Sequence, residues 1–455
     1  MALKSFFANS RGSVSFYGAM IIMTLVGSGA LVADYGRMVV LKSQMQNYAD
    51  SAVMAGAVFL DQSSSSITNA TAAINSLTKQ TNIGTGSNTL TLQSITFYDA
   101  NGVATTTATS AESVGVVVSD KNVQFLFKPV LDLLTRTSGS TEGTVTALAN
   151  GNPSPIGCEL PPLMACDFTE TLGSAYDLLS TSNIGKQIKL GPKSGTNAMA
   201  PGNFGILDTT DGSQSTQDIA QAMASTEPSG CYGSGIDTAP GSRVDAVRDG
   251  INARFDLPAP PQNFPDPARN VINYLKDTDI SSNLMGSGSW NYSTYWAAKH
   301  PGVTAPTILG SNPSRYQVYL YELGEEFAIN GKQTLYPAPE SLPAGYTLVS
   351  GYTSPGVPVA SSNSNSTNND YDGVPSRNTP VEDPKRRLIP AVILNCVADN
   401  IQGNGGPYPA SGRYVELFVT ETVSSTAGNT IYGEIVGSLT PANSEKIKAN
   451  VTFNQ

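Results

Sequence analysis

The sequence of 455 residues contains a single histidine, His300, and few charged side chains, which make up 14% of the chain. Serine and cysteine nucleophiles normally need an imidazole as base, and many metal sites draw on several imidazoles. His300 precedes Pro301 in the segment AAKHPG, where a turn is expected. No HExxH, Walker A or nucleophile-elbow motif occurs. The sequence therefore predicts no enzymatic activity, no catalytic residue and no cofactor.

Positive charge is also scarce, because 26 Lys and Arg residues stand against 36 Asp and Glu residues, for a formal net charge of -10. An acidic chain repels the phosphate backbone of nucleic acids, which are therefore excluded as partners. The low charge and the many Gly, Ser, Thr and Asn residues favour strands, turns and polar loops over surface helices. We therefore predict an α+β fold in which the bulk of the chain is mainly β.

The four cysteines are isolated in the sequence and form no CxxC motif. An even number of cysteines in an exported chain predicts two disulfides, although their pairing stays open at this point. A zinc site made by four thiolates is the alternative interpretation. The residues concerned are Cys158, Cys166, Cys231 and Cys396.

An uncharged apolar run fills residues 14–33 and spans about 30 Å as a helix, which matches the hydrocarbon core of a bilayer. Lys4 and Arg11 precede it, so the positive-inside rule predicts that residues 1–13 are cytoplasmic and that the ectodomain is periplasmic. A secretory signal cleaved near Ser28-Gly29-Ala30 is the alternative, but the run is longer than a normal signal core. In both cases the ectodomain leaves the cytoplasm.

The helical pattern continues through residues 34–62, where one seam recurs at alternating steps of three and four residues. Gly29 and Ala33 add a small-xxx-small step inside the apolar run, which lets helices approach closely. The seam is expected to pack either against a helix of a partner subunit or against the chain's own ectodomain. The seam consists of Met38, Leu41, Met45, Tyr48, Ala52, Ala55 and Phe59.

The N-terminal segment resembles the N-terminal module of TadE/TadG-like proteins of the Tad (Flp) pilus assembly system. The likeness rests on Arg11-Gly12, on Asp34-Tyr35-Gly36-Arg37 and on the run QNYADSA at residues 46–52, in that order around the apolar span. Later segments such as NPSPIGCELPPLMACDF, GCYGSGIDTAPG and LNCVADN, which contain all four cysteines, also resemble the longer TadG-like proteins. A pilin cut after Gly12 would carry Glu as its fifth residue, but Tyr17 stands there, so a retained membrane anchor is expected.

The resemblance implies a pilin-like transmembrane helix and a role as a pilus assembly component or minor pilin. Its partners would be other pilus subunits and membrane lipid, and it would sit as a single-pass protein in the bacterial inner membrane or at the pilus surface. The alternative function is a self-standing surface adhesin or carbohydrate-binding module that contacts glycan or a host surface.

The ectodomain pattern predicts a small α+β domain over residues 63–150, followed by a β-rich TadG-like domain over 151–455. In the first domain we expect a helix at 67–77 and strands at 89–98, 114–127 and 144–149. Residues 361–373 are predicted to be a disordered loop, because 361–369 consist only of Ser, Asn and Thr. In the second domain we expect helices at 216–224 and 268–276, and strands at 315–323, 388–397, 414–420 and 430–437.

Three local patterns raise site hypotheses beside ordinary structural ones. Residues 61–65 fit Asp-x-Ser-x-Ser, a Mg²⁺ pattern, although a serine linker is preferred because no alternating α/β sequence follows. The segment SWNYSTYW at residues 289–296 would stack on glycan or protein, or pack in a core. Asn368, Asp370 and Asp372 have the spacing of half a calcium loop, but Thr379 replaces the final Glu, so a weak Ca²⁺ site competes with a plain turn.

Overall fold

The computed structural model describes most of residues 10–453. The gaps are residues 61–64, 82, 84–87, 100, 128–139, 141, 194–197, 209–214, 234, 240–242, 258–263, 269, 300–303, 324–325, 330–331, 336–345, 348–383, 403–404, 410–411 and 442. Two compact units are present, one of residues 1–153 with 450–455 and the other of residues 154–449.

The first unit begins with helix α1, Ser10–Ala57, which runs for 48 residues without a break. No proline occurs before Pro129, so nothing in this stretch removes a helical hydrogen bond. A second helix, α2, covers Ser66–Asn75 and confirms the helix predicted there. The long helix predicted from the apolar run and the seam is therefore also confirmed.

An antiparallel five-stranded sheet packs in the same unit. It contains β3 (Leu92–Tyr98), β4 (Ala104–Thr105), β5 (Ser113–Gln124), β6 (Glu142–Pro153) and the C-terminal strand (Val451–Phe453). Their order is the C-terminal strand, β6, β5, β3 and β4, and a separate pair is formed by β1 (Lys79–Gln80) and β2 (Thr89–Leu90). Alternate valines of β5 are buried, so one face of this sheet forms a core with α1 and α2.

The second unit is built around a closed barrel with the order β10, β8, β16, β18, β19, β9. In chain order these are β8 (Leu163–Cys166), β9 (Gln187–Pro192), β10 (Asn203–Ile206), β16 (Leu388–Leu394), β18 (Tyr414–Val419) and β19 (Ile431–Leu439). All seven residues of β16 are buried, as expected for a strand covered on both faces. The strands predicted near 388–397, 414–420 and 430–437 are confirmed.

Shorter strands form three small sheets in this unit. One joins β11 (Cys231–Tyr232), β7 (Ile156–Cys158) and β20 (Ile447–Lys448), and a second joins β12 (Ile236–Thr238) to β17 (Gly405–Tyr408). The third joins β14 (Lys332–Leu335), β13 (Glu326–Ile329) and β15 (Tyr346–Thr347). The helices are α3 (Thr169–Leu172), α4 (Thr216–Ala224), α5 (Val244–Ala253), α6 (Tyr292–Lys299) and α7 (Arg315–Leu323).

The strand predicted at 315–323 is wrong, because these residues form α7. All nine side chains are buried, and a segment buried on every side shows no clear period of either two or 3.6 residues. A local signal was present and was missed. Ser314 and Gln317 form a reciprocal capping box, in which each side chain accepts a hydrogen bond from the other residue's backbone N–H, at 3.1 and 2.8 Å.

The helix predicted at 268–276 is also wrong, because the described residues of this segment form no helix. The backbone N–H of Tyr274 donates to the Thr420 carbonyl instead of to a neighbour in its own segment. The buried Arg387 guanidinium donates hydrogen bonds to the carbonyls of Asn270 and Ile272 at 3.2 and 2.9 Å. Distant groups thus satisfy the hydrogen bonds that a helix would have made locally.

Candidate functional site on the N-terminal helix

The first half of α1 has the properties of a membrane span. The helix from Phe16 to Ala57 contains an apolar stretch long enough to cross a membrane, of which 0% is buried by the rest of the chain. Large apolar side chains such as Ile21, Ile22, Leu25 and Leu31 are more than half exposed. An exposed apolar helix of this length fits a protein anchored in a membrane.

The second half of α1 packs against the chain's own sheet and α2. Leu41, Met45 and Ala52 are fully buried and Tyr48 is 5% exposed. Met38 and Phe59 are partly buried against the same core, and Ala55 is also partly buried. The predicted seam therefore packs against the chain's own domain and not against a helix of a partner subunit. Gly29 and Ala33 lie in the exposed half.

Four polar side chains of α1 fasten the β5–β6 hairpin to the helix. The buried carboxylate of Asp34 accepts hydrogen bonds from the backbone N–H groups of Leu126 and Phe127 at 2.8 and 3.0 Å. Arg37 donates to the carbonyl of Gln124 at 2.8 Å. Lys42 donates to the Thr146 carbonyl, and Gln46 donates to the Leu148 carbonyl at 2.8 Å.

These four residues were missed as functional positions by the sequence analysis. The signal was nevertheless present, since Asp34, Arg37 and Gln46 belong to the motifs on which the family resemblance rests. Charged groups that follow an apolar run are usually read as solvated, and only the structure shows that they bind backbone groups of a distant hairpin.

The glycines of α1 whose surroundings the structure describes fall on two opposite faces. Gly18, Gly29 and Gly36 are separated by steps of 11 and 7 residues, which at about 100° per residue return to within about 20° of one direction. A Cβ added at any of these three would meet nothing within 4 Å. The buried seam residues Leu41, Met45, Tyr48 and Ala52 point roughly 100 to 180° away from them. The glycine face of α1, defined by these three residues, is therefore not covered by described parts of the chain.

The glycine on the other side of α1 has a different environment. A Cβ added at Gly56 would lie 2.4 Å from Cδ1 and 2.7 Å from Cγ1 of Ile74 in α2. The missing side chain of Gly56 lets α1 and α2 pack closely. No described residue packs in the same way against Gly18, Gly29 or Gly36. Because glycine costs about 1 kcal/mol in a helix relative to alanine, the three residues of the glycine face do not stabilise the described part of the chain through packing.

The second unit is braced by two disulfides, as the sequence analysis predicted. Cys158 pairs with Cys231, which joins β7 to β11, and Cys166 pairs with Cys396. All four sulfur atoms are used in these bonds, so the alternative of a zinc site made by four thiolates is wrong.

The aromatic segment SWNYSTYW lies in the core of the second unit. Trp290, Tyr292, Tyr295 and Trp296 are between 1% and 5% exposed. Tyr274 stacks on Tyr295 with ring centroids 5.0 Å apart. The hypothesis that this segment forms a stacking surface for glycan is wrong, and the core interpretation is confirmed.

Buried charges surround this aromatic core and satisfy one another. Arg315 donates to Asp277 at 2.6 Å and to Glu434 at 3.1 Å, and all three side chains are at most 1% exposed. Burial raises the pKa of the Glu434 carboxyl, an effect that neighbouring Arg315 opposes. Glu322 accepts hydrogen bonds from both Tyr274 and Tyr295, and burial raises the pKa of these two phenols well above the ordinary value. These groups are engaged with each other, so their role is structural.

Several sequence hypotheses fall outside the described residues. His300, Asn368, Asp370 and Asp372 are among them, as are four of the five residues at 61–65. Within the described part of the chain, no group of three or more His, Cys, Asp or Glu side chains is placed to hold a metal ion. The Ca²⁺ and Mg²⁺ hypotheses therefore stay predictions.

Comparison with known proteins gives one match. Neither a curated protein nor a solved structure shows significant similarity to the chain. The part that matches is the helix whose two faces are described above, and it contains Asp34, Arg37, Gln46 and all three residues of the glycine face. Residues 12–58 match the family model of Tad, Flp pilus-assembly TadE/G-like, which confirms over the N-terminal helix the resemblance found in the sequence.

Proposed function

We propose that the protein is an assembly component or minor pilin of a Tad/Flp pilus. Residues 14–33 hold it in the inner membrane, with the N-terminus cytoplasmic and the ectodomain periplasmic or exposed on the pilus. It acts by packing against other pilus subunits and contributes to surface attachment. It does so without catalysis and without a cofactor. The observation that carries this proposal is the family match over residues 12–58.

The two faces of α1 support packing by this helix. One face is occupied by the chain's own sheet, so a partner has access only to the remaining surface. Gly18, Gly29 and Gly36 lie on that surface and would let a second helix approach closely. Ala33 lies beside Gly29 and also offers little steric hindrance. A pilus subunit that presents its own apolar helix is the partner that suits such a surface.

The second unit supports a role outside the cytoplasm. Its two disulfides join segments 73 and 230 residues apart in the sequence. Disulfides of this kind persist in oxidising compartments such as the periplasm. The adhesin alternative is less favoured, because the aromatic segment that was its candidate glycan-binding surface is buried.

The test is genetic complementation in the bacterium that carries the gene. Deletion is expected to abolish or strongly reduce surface pili counted by electron microscopy, and the wild-type chain should restore them. A chain with Gly29→Leu and Gly36→Leu should reach the membrane at a normal level but fail to restore pili. Ala30→Leu is the matched control, because residue 30 points about 120° away from Gly18. Normal pili in the deletion strain would contradict the proposal.

A further inference from the structure

Two exposed apolar side chains, Leu126 and Phe127, lie just after β5, which ends at Gln124. Leu126 is 57% exposed and Phe127 is 43% exposed, although side chains of this type are normally buried. Their backbone N–H groups are fixed by the carboxylate of Asp34, at 2.8 and 3.0 Å. The two side chains are thus held at a defined level along α1, since charge-assisted hydrogen bonds are among the stronger ones in proteins.

The described residues of the hairpin run along α1, and on the β5 side they reach that level at Leu126 and Phe127. The hydrogen bonds between the hairpin and α1 are ordered along the helix, with those to β6 farthest from the apolar run and those at the end of β5 nearest to it. Listed from the far end toward the membrane, the helix residues that make them are Gln46, Lys42, Arg37 and Asp34. The last described residues after β5, Leu126 and Phe127, therefore meet α1 at Asp34.

If residues 14–33 cross the bilayer as proposed above, Asp34 lies at the membrane surface. It is the first charged residue after the apolar run at 14–33, which spans about the thickness of the hydrocarbon core. Tyr35 next to it is 66% exposed, and tyrosine is enriched at the boundary between membrane and water. Leu126 and Phe127 are bound to Asp34 and so lie at this boundary as well.

We propose that Leu126 and Phe127 insert into the bilayer interface beside α1 and form a second membrane contact. The proposal rests on the anchoring of α1 stated above. Lipid is the occupant because the two side chains adjoin the point where the apolar run leaves the bilayer, and aromatic and aliphatic side chains are those that interfacial segments insert. Two points of contact then fix the orientation of the first unit on the membrane surface.

Depth-dependent fluorescence quenching on the full-length protein tests this. All four native cysteines are in disulfides, so a cysteine introduced at one position is the only reactive thiol. The variants Leu126→Cys and Phe127→Cys carry an environment-sensitive dye, in vesicles of phosphatidylcholine and phosphatidylglycerol with spin-labelled lipid. Leu148→Cys is the matched control, since Leu148 is a 65% exposed leucine on the same hairpin, farther from the membrane. Met23→Cys reports on the span.

The account predicts strong quenching at residue 23 and quenching at 126 and 127 that is several-fold greater than at 148. Asp34→Ala should reduce the quenching at 126 and leave that at 23 unchanged. Quenching at 23 together with equal, low quenching at 126, 127 and 148 would overturn this inference alone. No quenching at 23 would overturn the anchoring of α1 and the inference with it.

Discussion

Gly56 of α1 and Ile74 of α2 are in such close contact that a Cβ at position 56 would lie 2.4 Å from the Ile74 Cδ1 atom. The contact joins the long helix to the short helix that follows it, within the core of the first unit. It also separates two kinds of glycine on one helix, those used for packing within the chain and those facing outward.

Gly56→Ala should therefore destabilise the protein, whereas Gly36→Ala should not. The added methyl at 56 overpacks the contact with Ile74, which costs about 1–3 kcal/mol. At 36 nothing lies within 4 Å, and the gain in helix propensity is up to about 1 kcal/mol. Urea unfolding of the detergent-solubilised chain, followed by circular dichroism, measures both. Equal stability of the two variants would contradict the described packing of α1.

Asp34→Ala should loosen the end of the β5–β6 hairpin. Loss of the carboxylate leaves the N–H groups of Leu126 and Phe127 without their acceptor, and each such charged hydrogen bond contributes about 1.5–3 kcal/mol. Hydrogen exchange at these two amides should become faster, while amides in the middle of β5 keep their protection. Asp120→Ala is the control, because Asp120 is exposed on the same strand. Unchanged exchange at 126 and 127 would show that Asp34 does not hold the hairpin.

Arg315→Met should destabilise the second unit strongly, because it leaves Asp277 and Glu434 buried without their cation. Breaking a buried ion pair in this way costs about 3–5 kcal/mol. Arg248→Met is the matched control, since Arg248 pairs with Asp245 and Asp249 near the surface and should change stability by about 1 kcal/mol or less. The midpoint of urea unfolding distinguishes the two variants, and similar midpoints would contradict a structural role for Arg315.

The cost of Arg315→Met should also depend on pH. Burial already raises the pKa of Glu434, and Arg315 opposes that rise, so its removal raises the pKa further. A carboxyl whose pKa is raised in the folded state contributes most to the free energy of unfolding at pH values below its ordinary pKa. This contribution is lost as the pH rises through the folded-state pKa. The variant should therefore lose more stability at neutral pH than at pH values near or below the ordinary pKa of glutamate. A cost that does not change with pH would exclude Glu434 as the source.

Loss of either disulfide should destabilise the second unit. Cys231→Ser opens a link between residues 73 apart and Cys396→Ser opens one between residues 230 apart, and removal of a native disulfide costs about 2–5 kcal/mol. In the chain-entropy view the longer loop gives the larger effect, by roughly 1 kcal/mol. Thermal unfolding of the two single variants and of the reduced wild type measures this. Reduction without effect on the melting temperature would show that the bridges do not brace this unit.

Much of the fold follows from pattern in the sequence. The proline-free apolar run and the seam after it predict α1, and the β-branched runs of β5, β16 and β18 predict strands, because local periodicity and composition decide these elements. The segment at 315–323 resists the same reasoning, since it is buried on all sides and its helix begins where Glu434 accepts the backbone N–H groups of Arg315 and Tyr316. That acceptor lies more than a hundred residues away and leaves no local pattern, so the capping box of Ser314 and Gln317 was the local signal for this helix.

The candidate site was predictable only in part. The seam of Leu41, Met45 and Tyr48 has the same spacing whether it meets a partner or its own sheet, so its destination required the structure. The sequence likewise does not distinguish Gly36 from Gly56, because the difference lies in whether another side chain stands opposite. Asp34 and Arg37 showed a family pattern, but their binding to the β5–β6 hairpin depends on a contact across about ninety residues of chain.

The central claim is that the glycine face of α1 meets another pilus subunit. Site-specific photo-cross-linking tests it most directly, with p-benzoylphenylalanine in place of Gly29 or Gly36, and in place of Met45 as the control on the buried face. In pilus-producing cells, the probes at 29 and 36 are predicted to form adducts with pilus subunits or assembly proteins identified by mass spectrometry, and the probe at 45 only internal ones. Adducts with pilus proteins at 45 and none at 29 or 36 would contradict the account.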